Sequence, residues 1–149
     1  MNKPCTVEEH LERVLSGVRP LTPVATPLLD ALGLVCAEDV VAAISLPSFD
    51  NSAMDGYAVR RSDVVGASAE SPVSLPVVGD IGAGQATIRS LEPGTAAKIM
   101  TGAPIPEGAD AVVPYEWTDR GVTEVRIDEA PEAGQHVRPA GDDVSAGDQ

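Results

Sequence analysis

The sequence has few aromatic residues and few basic ones. Its 149 residues include one phenylalanine, two tyrosines and one tryptophan, so a folded core has to be built from aliphatic side chains. Ten basic residues against 23 acidic ones give a net charge of −13, which opposes binding to nucleic acid or to anionic membranes because both need a basic surface. No apolar run approaches the roughly 18 residues that mark a membrane-spanning helix. We therefore expect neither nucleic acid nor membrane as a partner.

Cysteine is scarce as well. Cys5 and Cys36 stand far apart, with no Cys-x-x-Cys pair and no histidine at the spacing of a metal site. A disulfide between them is one possibility, but the spacing favours a reduced pair. The first residues, Met1 to Pro4, are not followed by an apolar signal-peptide core. These features predict a cytoplasmic protein.

Helical patterns are confined to the first part of the chain. Thr6 and Glu9 fit a Thr-x-x-Glu capping box, and apolar residues at helical spacing then predict a helix over 6–18. A shorter helix is predicted to begin after Thr26 as its N-cap and to end at Gly33, a natural left-handed cap.

After Pro47 the sequence changes to short β-like runs separated by glycine and proline. Runs of this kind, bounded by turn residues, predict strands rather than helices. Five of them predict a small β-barrel or sandwich over 47–138, with a hairpin turn at Asp119–Gly121. The glycines of 79–84 have no helix pattern after them, so this stretch is interpreted as a loop. The predicted extended segments are 34–37, 39–43, 53–59, 73–78, 96–100, 111–115 and 122–127. The predicted fold class is α+β and β-dominated.

The densest group of chemically active residues lies in 47–59. It contains Asp50, Asn51, Ser52 and Asp55, followed by a glycine and a strand-like run. One interpretation is a structural turn in which short polar side chains bond the backbone. The other is a carboxylate that binds a metal or handles a proton, for which Asp55 is better placed than Asp50 because it stands at the edge of the strand.

A second group follows the predicted strand at 96–100. Thr101 and the amide of Gly102 could hold an oxyanion, since a glycine lets backbone donors approach closely. The alternative is a stiff connector, because two prolines follow. Near the end of the chain, Arg138 precedes Asp142 and Asp143 and could pair with these acids or with an anion, while the acidic pair itself is typical of a solvated linker.

Taken together, residues 49–59, 99–113 and 138–143 resemble the N-terminal region of the molybdopterin molybdenumtransferase family, which includes the C-terminal domain of gephyrin. The resemblance runs from Val7 to Gly147, and the stretch from Asp50 to Ala58 is highly specific. The chain departs from the family at Asp142, where a glutamate is usual.

The resemblance implies an enzyme of molybdenum cofactor biosynthesis. Such enzymes insert molybdenum from molybdate into adenylylated molybdopterin with Mg²⁺ and release AMP, as homodimers. By motif position, Asp55 and Thr101 are the expected catalytic residues, and Asp55 is the expected Mg²⁺ ligand. The expected substrate-binding residues are Asn51, Ser52, Gly102, Arg138 and Asp143.

The resemblance also implies a domain organisation. Residues 1–46 and 139–149 are expected to form an elongated, helix-containing subdomain, into which a β subdomain of residues 47–138 is inserted. The family's substrate-binding domain is expected to be absent from this chain, so the chain alone is expected to be inactive. The alternative function is a dimerisation or protein-interaction scaffold of the same fold without catalysis.

Overall fold

The computed structural model describes residues 5–84 and 90–149, which are mixed in secondary structure with strands dominant, as the sequence predicts. The chain divides into two units, Met1–Val40 and Val41–Gln149. No helix among the described residues is long and apolar enough to cross a bilayer.

The first unit contains the helix α1, Val7–Leu15. The predicted capping box is confirmed: the Thr6 amide donates to a Glu9 carboxylate oxygen at 2.9 Å, and the Glu9 amide donates to the Thr6 hydroxyl at 3.2 Å. The helix ends earlier than predicted, because the hydroxyl of Ser16 donates to the Arg13 carbonyl at 2.9 Å and Ser16 takes the C-cap position.

The second predicted helix is only a short 3₁₀ turn, Leu28–Ala31. The hydroxyl of Thr26 donates to the Val24 carbonyl at 3.3 Å instead of capping a helix. Gly33 does adopt the expected positive φ, 83°. The segments 34–37 and 39–43 contain no strand. Among the described residues of this unit none is buried, and only Ala31 is even partly covered.

The second unit carries the strands. All five predicted strands are confirmed, some with shifted ends. The interpretation of residues 79–84 as a loop is partly wrong, because Gly79–Ile81 forms the end of the longest strand. Four short elements were not predicted: the strands β1 and β7, the helix α2, Arg61–Val64, and the 3₁₀ turn Tyr115–Trp117. The strands are β1 Asn51–Ser52, β2 Gly56–Val59, β3 Val73–Ile81, β4 Ala96–Ile99, β5 Ala111–Pro114, β6 Glu124–Ile127 and β7 Val137–Arg138.

Five of these strands form one sheet in the order β5-β2-β4-β3-β6. The pairs are antiparallel except for β3 with β4. Beyond β5 the chain makes a 3₁₀ turn, Tyr115–Trp117, and Thr118 then bridges Ile127 of β6. The segment that leaves one edge strand thus contacts the other edge strand, and the sheet curls into a half-barrel.

Both faces of this sheet are covered by aliphatic side chains. All four residues of β2 and all four of β5 are buried, which explains why these strands appear in the sequence as continuous apolar runs rather than alternating ones. One cluster includes Tyr57, Val59, Val113, Val125 and Ile127, and the other includes Ala58, Ile81, Leu91, Ile99 and Val112.

The two ends of the second unit run side by side. The amide of Leu46 donates to the Val144 carbonyl at 2.8 Å. The amide of Ala42 donates to the Asp148 carbonyl, and the amide of Gly147 donates to the Ala42 carbonyl, both at 2.9 Å. Further in, β1 pairs with β7 through Asn51 and Arg138. The grouping of residues 1–46 with 139–149 into one subdomain stays a prediction.

Candidate functional site

The register of the sheet brings Asp55 and Thr101 to the same end of neighbouring strands. Asp55 directly precedes β2 and Thr101 follows β4, and these antiparallel strands pair Gly56 with Ile99. On the other side of β2, the Tyr115 amide donates to the Asp55 carbonyl at 3.1 Å and continues the ladder beyond β5. Two residues that are 46 positions apart in sequence therefore meet at one edge of the sheet.

Asp55 and Thr101 are joined by two short hydrogen bonds. The backbone amide and the hydroxyl of Thr101 both donate to Oδ1 of Asp55, each at 2.7 Å. These donors stabilise the carboxylate and lower the pKa of Asp55 below its ordinary value, against a smaller opposing effect of burial. Among the described residues Oδ2 of Asp55 has no hydrogen-bond partner, so one oxygen of a fixed, ionised carboxylate stays available to a ligand.

The loops that carry the two residues are locked together by their backbones. The Gly102 amide donates to the Ser52 carbonyl at 2.8 Å, and the Ser52 amide donates to the Ala103 carbonyl at 3.0 Å. Gly102 adopts a φ of 78°, which the turn requires and which glycine allows. The hydroxyl of Ser52 donates to the Met54 carbonyl at 2.6 Å. Asp55 is thus positioned before any ligand arrives.

Asn51 and Ser52 lie inside the protein. Their exposed fractions are 5% and 1%, and the Asn51 amide group donates to the Phe49 carbonyl at 3.2 Å. The structure brings Ser52 to Gly102 but gives the side chains of Asn51 and Ser52 partners within their own loop. Their assignment as substrate-binding residues stays a prediction.

Arg138, Asp142 and Asp143 form a second cluster. Arg138 Nη2 contacts both carboxylate oxygens of Asp143 at 2.8 Å, and its Nε lies 3.6 Å from Asp142. The Asp143 carboxylate is the main cause of a raised pKa at Arg138. Of the two pairings that the sequence left open for Arg138, the structure shows the one with the acids. No described hydrogen bond joins this cluster to Asp55 or Thr101.

The free carboxylate oxygen of Asp55 is a ligand that suits Mg²⁺, but it would supply only a minority of the ligands that the ion needs. No group of three or more histidine, cysteine or acidic side chains able to hold a metal is found among the described residues. Mg²⁺ keeps several waters and is commonly held by one or two carboxylates together with substrate oxygens. The free oxygen of Asp55 meets that requirement. The Thr101 hydroxyl donates a hydrogen bond to Asp55, so its oxygen lone pairs can still accept from a donor or bind a cation.

Four residues beside this pair were not singled out from the sequence. The ring of Tyr115 has the Lys98 ammonium 5.9 Å and the Arg120 guanidinium carbon 5.6 Å from its centroid. Tyr57 meets the same ring edge-on at 5.5 Å. The only sequence signal was a lysine inside an otherwise apolar strand, β4.

The sequence matches known proteins over almost its whole length. Residues 5–149 match the family described as "MoeA N-terminal region (domain I and II)". Molybdopterin molybdenumtransferase 2 of Mycobacterium tuberculosis is 53% identical over 142 residues, which are 95% of this chain and 35% of that protein. Molybdopterin molybdenumtransferase of Bacillus subtilis is 38% identical over 148 residues, 97% of this chain and 34% of its own length.

A solved structure agrees. The crystal structure of the molybdopterin biosynthesis moeA protein from Pyrococcus horikoshii OT3 superimposes with a TM-score of 0.77 at 36% identity, and covers 83% of this chain and 32% of that one. The chain spans about a third of the length of the curated relatives that it matches. With the strand-dominated fold and the family match in agreement, the chain belongs to the MoeA N-terminal region family of molybdopterin molybdenumtransferases.

Proposed function

We propose that this chain contributes the Asp55–Thr101 pair to a molybdopterin molybdenumtransferase. In the proposed reaction, molybdenum from molybdate enters adenylylated molybdopterin and AMP leaves. The observation that carries the proposal is the carboxylate of Asp55, held ionised by two donors of Thr101 at 2.7 Å while its second oxygen has no described partner.

Each residue of the pair has a distinct task. Thr101 fixes the position of the Asp55 carboxylate, so no reorganisation is needed when the anionic substrates arrive. Asp55 supplies a negative charge that holds a cation against molybdate or the nucleotide. The backbone lock between Ser52 and Gly102 keeps the two loops at a constant separation.

Mg²⁺ is part of the proposal. Oδ2 of Asp55 would hold it, with waters and substrate oxygens as its other ligands. When bound, Mg²⁺ supplies positive charge to oxyanions that approach a chain whose own net charge is −13.

The rest of the catalytic site is proposed to come from outside this chain. The curated relatives are about three times longer, and the proposed enzyme is a homodimer whose substrate-binding domain completes the cleft at Asp55. This chain by itself is then inactive.

The test is the substitution Asp55→Asn in the full-length protein. It removes the charge but keeps an acceptor for Thr101, so the chain should still fold, with a small loss of stability from the weaker hydrogen bonds. We expect the rate of molybdenum insertion to fall at least about tenfold, corresponding to about 1.4 kcal/mol of lost transition-state stabilisation. Asp128→Asn, which removes a carboxylate that pairs with Arg126 at 3.0 Å, is the matched control and should insert at the normal rate.

A scaffold of the same fold makes a different prediction. In a scaffold the full-length protein would insert no molybdenum at all, whereas a purely structural role of Asp55 in an active enzyme would let Asp55→Asn lower the melting temperature and leave the insertion rate per folded molecule constant. Measurement of both quantities on one preparation separates these cases, and an unchanged insertion rate ends the catalytic assignment of Asp55.

A further inference from the structure

Ser52 is hydrogen-bonded to both loops that carry the candidate pair. It stands three residues before Asp55, in the same loop. Its backbone bonds the two residues that follow Thr101 in the other loop. The Gly102 amide donates to the Ser52 carbonyl at 2.8 Å, and the Ser52 amide donates to the Ala103 carbonyl at 3.0 Å. One residue therefore connects the segment of Asp55 with the segment of Thr101.

The side chain of Ser52 fixes the turn that leads to Asp55. Its hydroxyl donates to the Met54 carbonyl at 2.6 Å and accepts the Met54 amide at 3.3 Å. A serine that bonds the backbone two residues further on holds a turn in one conformation. Because Met54 directly precedes Asp55, this turn sets the direction in which the Asp55 side chain leaves the backbone.

The backbone of Ser52 holds the turn that carries Thr101. The Ala103 amide donates to the Met100 carbonyl at 3.0 Å and closes a four-residue turn with Thr101 and Gly102 at its centre. The positive φ of Gly102, 78°, suits the second of these two central positions. Since Ser52 bonds the last two residues of the turn, it sets the position of the Thr101 donors.

The environment of Ser52 suits support better than contact with a substrate. The residue is only 1% exposed, and the single proton of its hydroxyl is used by the Met54 carbonyl. A substrate contact would require this oxygen to be uncovered and the bond to Met54 to be broken, which leaves a buried polar group unpaired.

From these contacts we infer that Ser52 is a positioning residue, which keeps the Asp55 carboxylate within reach of the two Thr101 donors and does not itself bind substrate. Hydrogen bonds of 2.7 Å depend steeply on distance and angle, so a looser turn before Asp55 weakens both. This role replaces the substrate-binding role that was expected for Ser52. Its consequence for catalysis rests on the proposed function, whereas the positioning itself is measurable in this chain alone.

The first experiment is amide hydrogen exchange, followed by NMR, on the Ser52→Ala variant of this chain. The substitution removes the hydroxyl and keeps the backbone bonds to the Thr101 turn. We expect the Thr101 amide, which donates to Asp55, to exchange about fivefold faster. The Val77 amide, which donates to the Thr123 carbonyl at 2.9 Å, reports on the stability of the sheet and should change much less.

Ser68→Ala is the matched control. The Ser68 hydroxyl accepts the Ser71 amide at 3.1 Å and so supports a similar turn, in the loop between α2 and β3. Its loss should leave the ratio of the Thr101 and Val77 exchange rates unchanged. Equal acceleration of both amides in Ser52→Ala would show that Ser52 only stabilises the fold, and an unchanged Thr101 rate would show that Ser52 does not hold the pair. Either result overturns the inference.

A second variant covers the case in which Ser52→Ala does not fold. Ser52→Cys keeps the shape of the side chain and a weak donor, so it should accelerate exchange at the Thr101 amide in the same direction but to a smaller degree. No change at Thr101 in this variant counts against the positioning role.

The second experiment is steady-state kinetics of the full-length protein. A positioning residue acts on the transition state through Asp55, so Ser52→Ala should lower kcat about fivefold and leave KM unchanged. A raised KM with an unchanged kcat would identify Ser52 as a substrate contact and would overturn the inference.

The two proposals fail in different ways. If full-length Asp55→Asn inserts molybdenum normally while Thr101 exchange still responds to Ser52→Ala, the catalytic assignment fails and the positioning role stands. If insertion depends on Asp55 but Thr101 exchange ignores Ser52→Ala, the positioning role fails and the proposed function stands.

Discussion

At the scale of single residues, the ionised state of Asp55 depends on its neighbour. Thr101 contributes two donors to one oxygen, and they lower the pKa of Asp55 from its ordinary value of 3.8. A carboxyl whose pKa is lower in the folded chain stabilises the fold at pH values above its unfolded pKa. That contribution is lost as the pH falls through the folded pKa.

Thr101→Val tests this coupling because it removes the hydroxyl but keeps the shape and the backbone amide. We expect the pKa of Asp55, followed by NMR of its carboxyl carbon, to rise towards the ordinary value without reaching it, since the larger, backbone contribution remains. The decrease in the free energy of unfolding on acidification below about pH 4 should become smaller. Thr123→Val, on the hairpin before β6, is the control. An Asp55 pKa that does not respond to Thr101→Val contradicts the assigned cause.

The sequence could predict which residues form the pair but not how they are bonded. Asp55 and Thr101 each stood in a dense local motif, so their chemistry was visible. Their direct contact depends on the register of β2 and β4, and the cations on Tyr115 depend on the position of the hairpin. Such relations between distant segments leave no local signal in a single sequence.

At the scale of elements, β2 is the central connection of the sheet. It pairs with β4 on one side and β5 on the other, and a side chain at Gly56 would collide with the Val113 carbonyl. This glycine is required by the close approach of a neighbouring strand rather than by an unusual φ.

Gly56→Ala should therefore separate β2 from β5 and lower the free energy of unfolding by at least about 2 kcal/mol. Chemical denaturation of the 149-residue chain measures this. Gly79→Ala, on β3, is the matched control, because an added Cβ there meets no atom within 4 Å. A loss for Gly56→Ala no larger than for Gly79→Ala would show that β5 can shift without cost.

The accuracy of element prediction followed the strength of local patterns. Strands made of continuous aliphatic runs between turns were found, and so was α1 with its capping box. The second helix was overpredicted because Thr26 and Pro27 resemble a helix start, whereas the turn that follows buries no residue that would stabilise a longer helix. β1 and β7 are two residues each and exist only because they pair with each other.

At the scale of the whole molecule, the two units differ in what stabilises them. The second unit has two aliphatic clusters. In the first unit large apolar side chains are exposed, with Leu29 at 91% and Leu32 and Val35 at 93%. A helix without tertiary packing is marginal at the length of α1.

Amide hydrogen exchange should show this difference directly. In the chain alone at low concentration, we expect amides of β2 and β4 to exchange at least about a hundredfold more slowly than those of α1. If the proposed homodimer covers the first unit, protection of α1 should rise with protein concentration while that of β2 stays constant. Equal protection of α1 and β2 at the lowest concentration would contradict this.

The side-by-side ends of the second unit have a consequence for protein engineering. The Gly147 amide is hydrogen-bonded to the Ala42 carbonyl, so residues 42 and 147 lie close together in space. A domain whose first and last residues are close together can be inserted into a surface loop of another protein. A recipient chain would need to open by only a few ångströms to accept it. The same proximity allows circular permutation, with a short glycine linker across the old ends and new ends cut at the hairpin Asp119–Gly121.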